Sequence, residues 1–376
     1  MRTPDLNWIK DPRVFQVNRQ HAYSDHIYTI GKDKKPSSFS LNGTWKFNLS
    51  KNYDSCFKFF FNTEFNDSNW NDIQVPGHIQ LQGFDNPHYT DVTYPWDGHD
   101  VVKPGQIDMD KNKVYQYRKT FDCPQDFIGN KLILSFEGVE SNIYVWLNGK
   151  FIGYAEDSFT PSRFDITKYT QEKDNVLCVR IFQKCTGTWL EDQDMWRFTG
   201  IFRDVMIYKQ PSLHIQDLKI DTDIDLDTNK SVLRCVCKMS SNESHTLQAK
   251  LYDPQGNIVW NGNMQDTFEI SVENTCLWSS EFPNLYQLEL VLYDTNNEII
   301  ETIQEQVGFR KFTLEYGIMK LNGKRIVFHG INRHEWDPKT GRCLSQEQME
   351  EDIHILKSLN INAVRTSHYP NNSYWY

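Results

Sequence analysis

Four stretches of the chain carry residues whose types and spacing suit chemistry. Thr188 to Arg197 reads TWLEDQDMWR and packs Glu191, Asp192 and Asp194 between Trp189 and Trp196 with no strand periodicity. Carboxylate oxygens suit hard cations and sugar hydroxyls alike, and aromatic rings beside them suit carbohydrate. The competing reading is a loop tied down by Arg197 or Arg203. Asn86 to Trp96, NPHYTDVTYPW, is a second polar–aromatic loop with Asp91 at its centre. Near the C-terminal end stand two polar clusters, Asn332-Arg333-His334-Glu335 and Arg365-Thr366-Ser367-His368. His368 is the functional candidate of the second, against the plainer reading of a satisfied structural histidine. Glu335 is the one carboxylate there with a claim to acid–base work, and an ion pair with Arg333 or Arg365 is its simpler use. Glycoside hydrolysis needs two carboxylates, and among 50 acidic residues no pair stands out by spacing.

The elements that would hold His368 and Glu335 are legible. Ser345 with Gln348 makes a capping box, and Met349, Ile353, Leu356 and Leu359 recur on one helical face. Apolar runs on either side, Arg325 to Phe328 and Ile361 to Val364, read as strands of a buried sheet. Strand, helix, strand is the repeat of a parallel β/α barrel, whose active site forms where the strands end. The polar clusters follow the two strands. Two strands of a possible eight are present, so the expectation is the start of a (β/α)8 barrel over residues 311–376, cut short and inactive alone.

Upstream, residues 1–35 are polar and aperiodic and read as an extended arm. From Leu41 short strands are punctuated by turn signals. The clearest is Asn142 to Tyr154, where Ile143, Val145 and Leu147 alternate with Tyr144 and Trp146 before an Asn148-Gly149 turn. Residues 36–210 thus read as a jelly-roll β-sandwich. Gln210-Pro211 marks a boundary, and residues 211–310 hold six or seven short strands, the size of an immunoglobulin-like sandwich. The whole is multidomain and mainly β.

The 376 residues carry a net charge of −10, which argues against a general nucleic-acid binder. No apolar run reaches the ~18 residues of a membrane span, and the first residues lack the apolar core of a secretory signal. The eight cysteines form no CxxC pair or zinc spacing; Cys235 and Cys237 face one way on a strand and read as core thiols. A cytoplasmic location is expected.

INAVRTSHYPNNSYWY resembles the first part of the signature of family 2 glycoside hydrolases, and LNGKRIVFHGINRHEWDP resembles that family's entry into its barrel. TWLEDQDMWRFTGIFRDV, YTDVTYPW and LWSSEFPNLY are similar to the β-galactosidases within the family. The resemblance runs from about residue 7 onward. It implies an N-terminal portion of an enzyme that hydrolyses terminal non-reducing β-D-galactose, as in lactose, with retention. Asp194 corresponds to an aspartate that contacts galactose and a sodium ion. His368 corresponds to a histidine that helps stabilise the transition state. Asp91 stands where relatives usually have asparagine, a galactose contact. An ionised aspartate only accepts hydrogen bonds, whereas asparagine also donates, so that contact is altered. The magnesium-binding segment, the acid/base and the nucleophilic glutamate are expected beyond residue 376. The partners implied are a galactoside substrate and either oligomeric copies or a complementing chain that supplies the rest of the barrel. The alternative is a carbohydrate-binding or structural module.

Overall fold

Short alternating strands have one apolar face each and must bury it against another sheet. In a computed structural model describing residues 3–91, 93–97, 102–191 and 193–376, they form two sandwiches followed by a parallel β-α-β unit. The first sandwich packs a seven-stranded sheet on a four-stranded one. The larger runs in the order Gln16–Val17, Lys150–Glu156, Asn142–Leu147, Asn175–Phe182, Val114–Phe121, Gly43–Ser50, Asn71–Val75. The smaller runs Ser162–Asp165, Lys131–Phe136, Val205–Gln210, Ser38–Ser40.

The hairpin of residues 142–156 closes through Asn148 and Gly149, at φ 51° and 76°, the backbone its two-residue turn requires. Its alternation does not divide core from solvent. Ile143, Val145 and Leu147 enter the sandwich core, while Tyr144 and Trp146 lie in a second cluster with Ile9, Phe60 and Trp70. The N-terminal arm makes this outer face a core. Trp8 stacks on Tyr144, ring centroids 6.0 Å apart, and Gln16–Val17 extends the seven-stranded sheet. Further on, Tyr28–Ile30 pairs with Ile299–Val307 and carries Lys35–Pro36 with it. The arm is therefore woven into both sandwiches.

The second sandwich faces a three-stranded sheet (Ile215–Asp225, Lys230–Met239, Thr267–Glu273) with a six-stranded one. Cys235 and Cys237 are buried free thiols of its core, as expected from their shared face.

The last segment opens with a small antiparallel sheet, Phe312–Glu315, Ile318–Leu321 and Lys324–Arg325. The parallel pair that follows is Gly330–Arg333 with Ala363–Thr366, joined by the helix Gln346–Ser358. Both strands start later than the apolar runs suggested. Asn362 is the reason: its side chain accepts from the backbone N–H of His329 at 2.9 Å and donates to the Val327 carbonyl at 2.9 Å. It thereby replaces strand pairing ahead of Gly330. Arg325 instead pairs antiparallel with Lys320. The capping box of Ser345 and Gln348 is formed. Of the four residues on the helix's apolar face, Met349 and Leu356 are buried, while Ile353 and Leu359 are exposed. Among the described residues, no helix is long and apolar enough to cross a membrane.

Candidate functional site

The two polar–aromatic loops of the first sandwich lie against each other. His88 and Arg197 form a β-bridge, the Arg197 guanidinium reaches Thr90 and the Thr93 carbonyl at 3.4 Å, and Trp96 stacks on Trp189 with ring centroids 4.1 Å apart. At the outer end of this zipper stands Asp194, exposed, whose Oδ1 accepts a 2.6 Å hydrogen bond from the Tyr89 hydroxyl. That bond, with the carboxylate's charge, pushes the Tyr89 phenol up to about 12. Asp91 also acts on Tyr89 by its charge. It sits at the tip of the turn closed by Thr90 and Thr93, at φ 52°, and is exposed. Asp192, named with its neighbours as a candidate, lies outside the described residues.

Glu191 has turned the other way. Its carboxylate accepts from the backbone N–H and the hydroxyl of Ser158 at 2.7 and 2.6 Å, and burial pushes it up to about 8. It anchors the loop and is not presented to a ligand. Beneath the loops lies a small cavity of about 40 Å³ lined in part by Glu140, Glu191 and Arg197, room for ordered water beside charged walls.

The barrel segment brings a second set of groups. His334 follows the first parallel strand and His368 follows the second; their rings meet edge to face, centroids 5.4 Å apart. Burial, then the neighbouring His368 and Arg342, lower the pKa of His334, against a smaller opposing pull from Asp194. At neutral pH His334 is thus an uncharged imidazole, one nitrogen donating and one accepting. The Nδ1 of His368 and the hydroxyl of Ser367 are buried with no hydrogen-bond partner among the described residues.

Two reciprocal contacts join the halves. Arg203 of the first sandwich donates to Glu335 and to the Pro370 carbonyl, both at 2.7 Å. Arg342 of the barrel segment donates to Glu140 at 2.6 Å and to the Trp196 carbonyl at 2.5 Å. Each arginine holds a glutamate and a backbone carbonyl of the other domain. Glu335 is 1% exposed, and its second oxygen accepts from the backbone N–H of Asn372. It is a structural ion-pair partner, as its simpler reading had it, but the partner is Arg203. Arg333 goes instead to Asp352 and Asn371, and Arg365 to Asn332. Arg203 was named only as a tether for the Asp194 loop; it tethers the barrel segment.

Gly341 makes the Arg342 contact possible. It has φ +64°, and a Cβ there would come within 2.6 Å of the His78 ring. This close approach lets the Arg342 backbone N–H donate to His78 Nε2 at 3.0 Å.

The chain matches three models in unbroken succession: "Glycosyl hydrolases family 2, sugar binding domain" over residues 39–211, "Glycosyl hydrolases family 2" over 213–310, and "Glycosyl hydrolases family 2, TIM barrel domain" over 312–376. The chain belongs to glycosyl hydrolase family 2. Its relatives include a beta-galactosidase of Halalkalibacterium halodurans, 48% identical over 99% of this chain and 38% of the relative, and one of Clostridium acetobutylicum, 43% identical over 99% and 43%. A beta-galactosidase large subunit of Leuconostoc lactis is 41% identical over 99% of this chain and 63% of its own length. This family 2 chain therefore spans 37–43% of the length of three such beta-galactosidase relatives. A solved β-glucuronidase of Ruminococcus gnavus superposes with a TM-score of 0.74 at 20% identity, covering 94% of this chain and 58% of that one. That likeness shows the shared fold.

Sequence reasoning singled out Asp194, Asp91 and His368 as candidates. It passed over His334, Tyr89 and Arg342, which no periodicity marks, although His334 lay inside a cluster already noted for following a strand.

Proposed function

We propose that this chain forms the sugar-recognition half of a retaining β-galactosidase acting on terminal non-reducing β-D-galactose, as in lactose. The observation that carries the reading is the convergence of Asp194 and Tyr89 from the first sandwich with His334 and His368 from the barrel segment, joined by the Arg203–Glu335 and Arg342–Glu140 contacts. A carboxylate accepts from sugar hydroxyls, and a neutral imidazole both donates and accepts. Asp91 offers acceptance alone. His368, at the end of a barrel strand, is positioned to stabilise charge that develops on the sugar ring.

The hydrolytic carboxylates are a separate matter. Glu335 is sealed under Arg203 and Asn372 and is no candidate for either role, and the reading assigns the acid/base and the nucleophile to another segment of polypeptide. The names of the large-subunit relatives support a complementing chain as that source; oligomeric copies of a longer chain are the other arrangement. For sodium, Asp194 supplies one oxygen beyond the one held by Tyr89. A hard cation takes six or more, and no group of three His, Cys, Asp or Glu gathers among the described residues. These residues do not by themselves make a sodium or magnesium site. All eight cysteines are free thiols, which supports a reducing, cytoplasmic location.

The test is calorimetry of galactose against the 376-residue chain and its Asp194→Asn variant, with a chromogenic galactoside assay alongside. Millimolar binding that the variant loses, and turnover that appears only on mixing with a polypeptide carrying the remaining barrel, are the expected results. No galactose binding to a folded chain would sink the reading.

A further inference from the structure

Where the two sandwiches meet, the N-terminal arm lies against both. The arm around His26, Arg163 and Gln210 of the first sandwich, and His214 and Glu301 of the second enclose a cavity of about 20 Å³, room for one water. Short bonds tie the three parts together there. Ser24 of the arm donates its backbone N–H to Asp217, and its hydroxyl accepts from the Leu218 backbone N–H, both at 2.8 Å. The Tyr28 hydroxyl donates to the Lys209 carbonyl at 2.9 Å.

Glu301 belongs to all three parts. Its strand pairs with the arm, Ile30 opposite Glu301. Its side chain turns to the linker and accepts from the backbone N–H of Ile215, the first residue of the Ile215–Asp225 strand. Glu301 is 1% exposed, and no basic side chain offsets that burial. The guanidinium lining the cavity, that of Arg163, is engaged by Asp25 at 2.9 Å and lies over the Tyr23 ring. Burial holds His26 and His214 uncharged at neutral pH and raises the Tyr28 and Tyr208 phenols and the Cys237 thiol, so the other groups facing Glu301 are neutral. A carboxyl buried without a cation stays protonated and then carries an O–H that needs an acceptor. Gln210 offers one: its Oε1 is buried with no hydrogen-bond partner among the described residues, and Arg163 Nε is a buried donor in the same condition. One water in the cavity would accept from Arg163 and relay the Glu301 hydrogen bond to Gln210.

We propose that this junction is a proton-operated latch: the neutral Glu301 carboxyl holds the arm and the linker to the second sandwich, and its ionisation releases them. An unpaired charge at this depth gains solvation only if its cover opens, and its cover is the arm strand Tyr28–Ile30 and the linker leading to Ile215. Burial pushes the Glu301 carboxyl up to about 8. A raised folded pKa means that the contribution of Glu301 is complete at low pH and drains away as pH rises through that value. The latch is therefore closed at neutral pH and opens on the alkaline side.

Hydrogen exchange of the 376-residue chain, corrected for the base catalysis of exchange itself, reads the latch. Between about pH 7 and about pH 9 the protection of residues 20–36 and 211–218 should fall about tenfold, the change expected when one group ionises near the middle of that interval. The cores of both sandwiches should keep their protection. In Glu301→Gln the amide still accepts from Ile215 and donates into the cavity but cannot ionise, so the fall should vanish there. Carbon NMR titration of labelled glutamates in the parent chain is a second measurement that needs no variant: the Glu301 carboxyl should titrate between about pH 7 and about pH 9. Protection of these two segments that does not change with pH, or that falls equally in Glu301→Gln, overturns the latch, as does a Glu301 carboxyl that titrates below about pH 6.

Discussion

Replacing Arg342 by Met tests whether the two halves of the site are held by the clamp. The side chain is 1% exposed and Glu140's 12%, so removing the guanidinium strands a largely buried carboxylate without its cationic partner. Breaking a buried pair by deleting one partner costs about 3–5 kcal/mol. Because the chain has several cores, that cost should fall on docking of the barrel segment rather than on one global transition. Burial already raises the pKa of Glu140, with Arg342 the first of the opposing pulls; without it the value climbs further. A carboxyl whose folded pKa is raised binds more protons folded than unfolded. Its favourable contribution is complete below the ordinary value near about 4.3 and drains away as pH rises to the folded one. The Arg342→Met deficit should therefore be smaller at pH 5 than at pH 8. Hydrogen exchange read by mass spectrometry supplies the assay: protection of residues 330–376 should fall by a factor of a hundred or more, while the cores around Val145 and Leu233 keep theirs. The double variant Glu140→Leu/Arg342→Met, with no buried charge left, should recover at least half of the loss. Strictly additive single costs, or a deficit of less than about 1 kcal/mol in the single variant, would refute the reasoning.

Two further tests address the Asp194 loop. Glu191 is pushed up to about 8 by burial, so its contribution is complete at low pH and is lost as pH rises through 8; the loop should loosen between pH 7 and 9, followed by exchange of residues 188–197, and Glu191→Gln should abolish that step. The Tyr89 phenol, held at about 12 by its bond to Asp194, should return towards the ordinary value near 10 in Asp194→Asn, read by NMR titration of labelled tyrosines; an unchanged titration would mean that the bond is not formed in solution.

What could be read from the sequence followed from local chemistry. Asn148-Gly149 dictates a left-handed turn, Ser345 and Gln348 cap a helix, and loops rich in Asp and Trp mark a candidate site. Each signal lies within a few residues. The exact start of the barrel strands was lost because it depends on Asn362, a side chain 33 residues from the His329 N–H it meets. That Tyr144 and Trp146 belong to a second core could not be read from the hairpin, because nothing nearby tells that the N-terminal arm will cover them.

The same limit explains the clamp. Arg203 meets Glu335 across 132 residues and Arg342 meets Glu140 across 202, spacings at which any of the 40 basic residues could pair with any of the 50 acidic ones. Composition cannot rank such pairs; burial can. A charge is tolerated at 1–2% exposure only when its partner and its spare hydrogen bonds are all supplied. Arg342 meets most of that demand, its Nε being left without a hydrogen-bond partner among the described residues, from four directions: Glu140, the Trp196 carbonyl, and the ring faces of Phe198 and Tyr369. Trp196 is two residues from Asp194 and Tyr369 is next to His368. One guanidinium thus fixes the two loops that bear the proposed sugar contacts. A hydrophobic interface of equal area would hold the domains together without fixing how the loops face each other, because apolar contact is non-directional. Directional bonds at a buried charge remove that freedom, which is what recognition of a sugar's hydroxyl pattern requires.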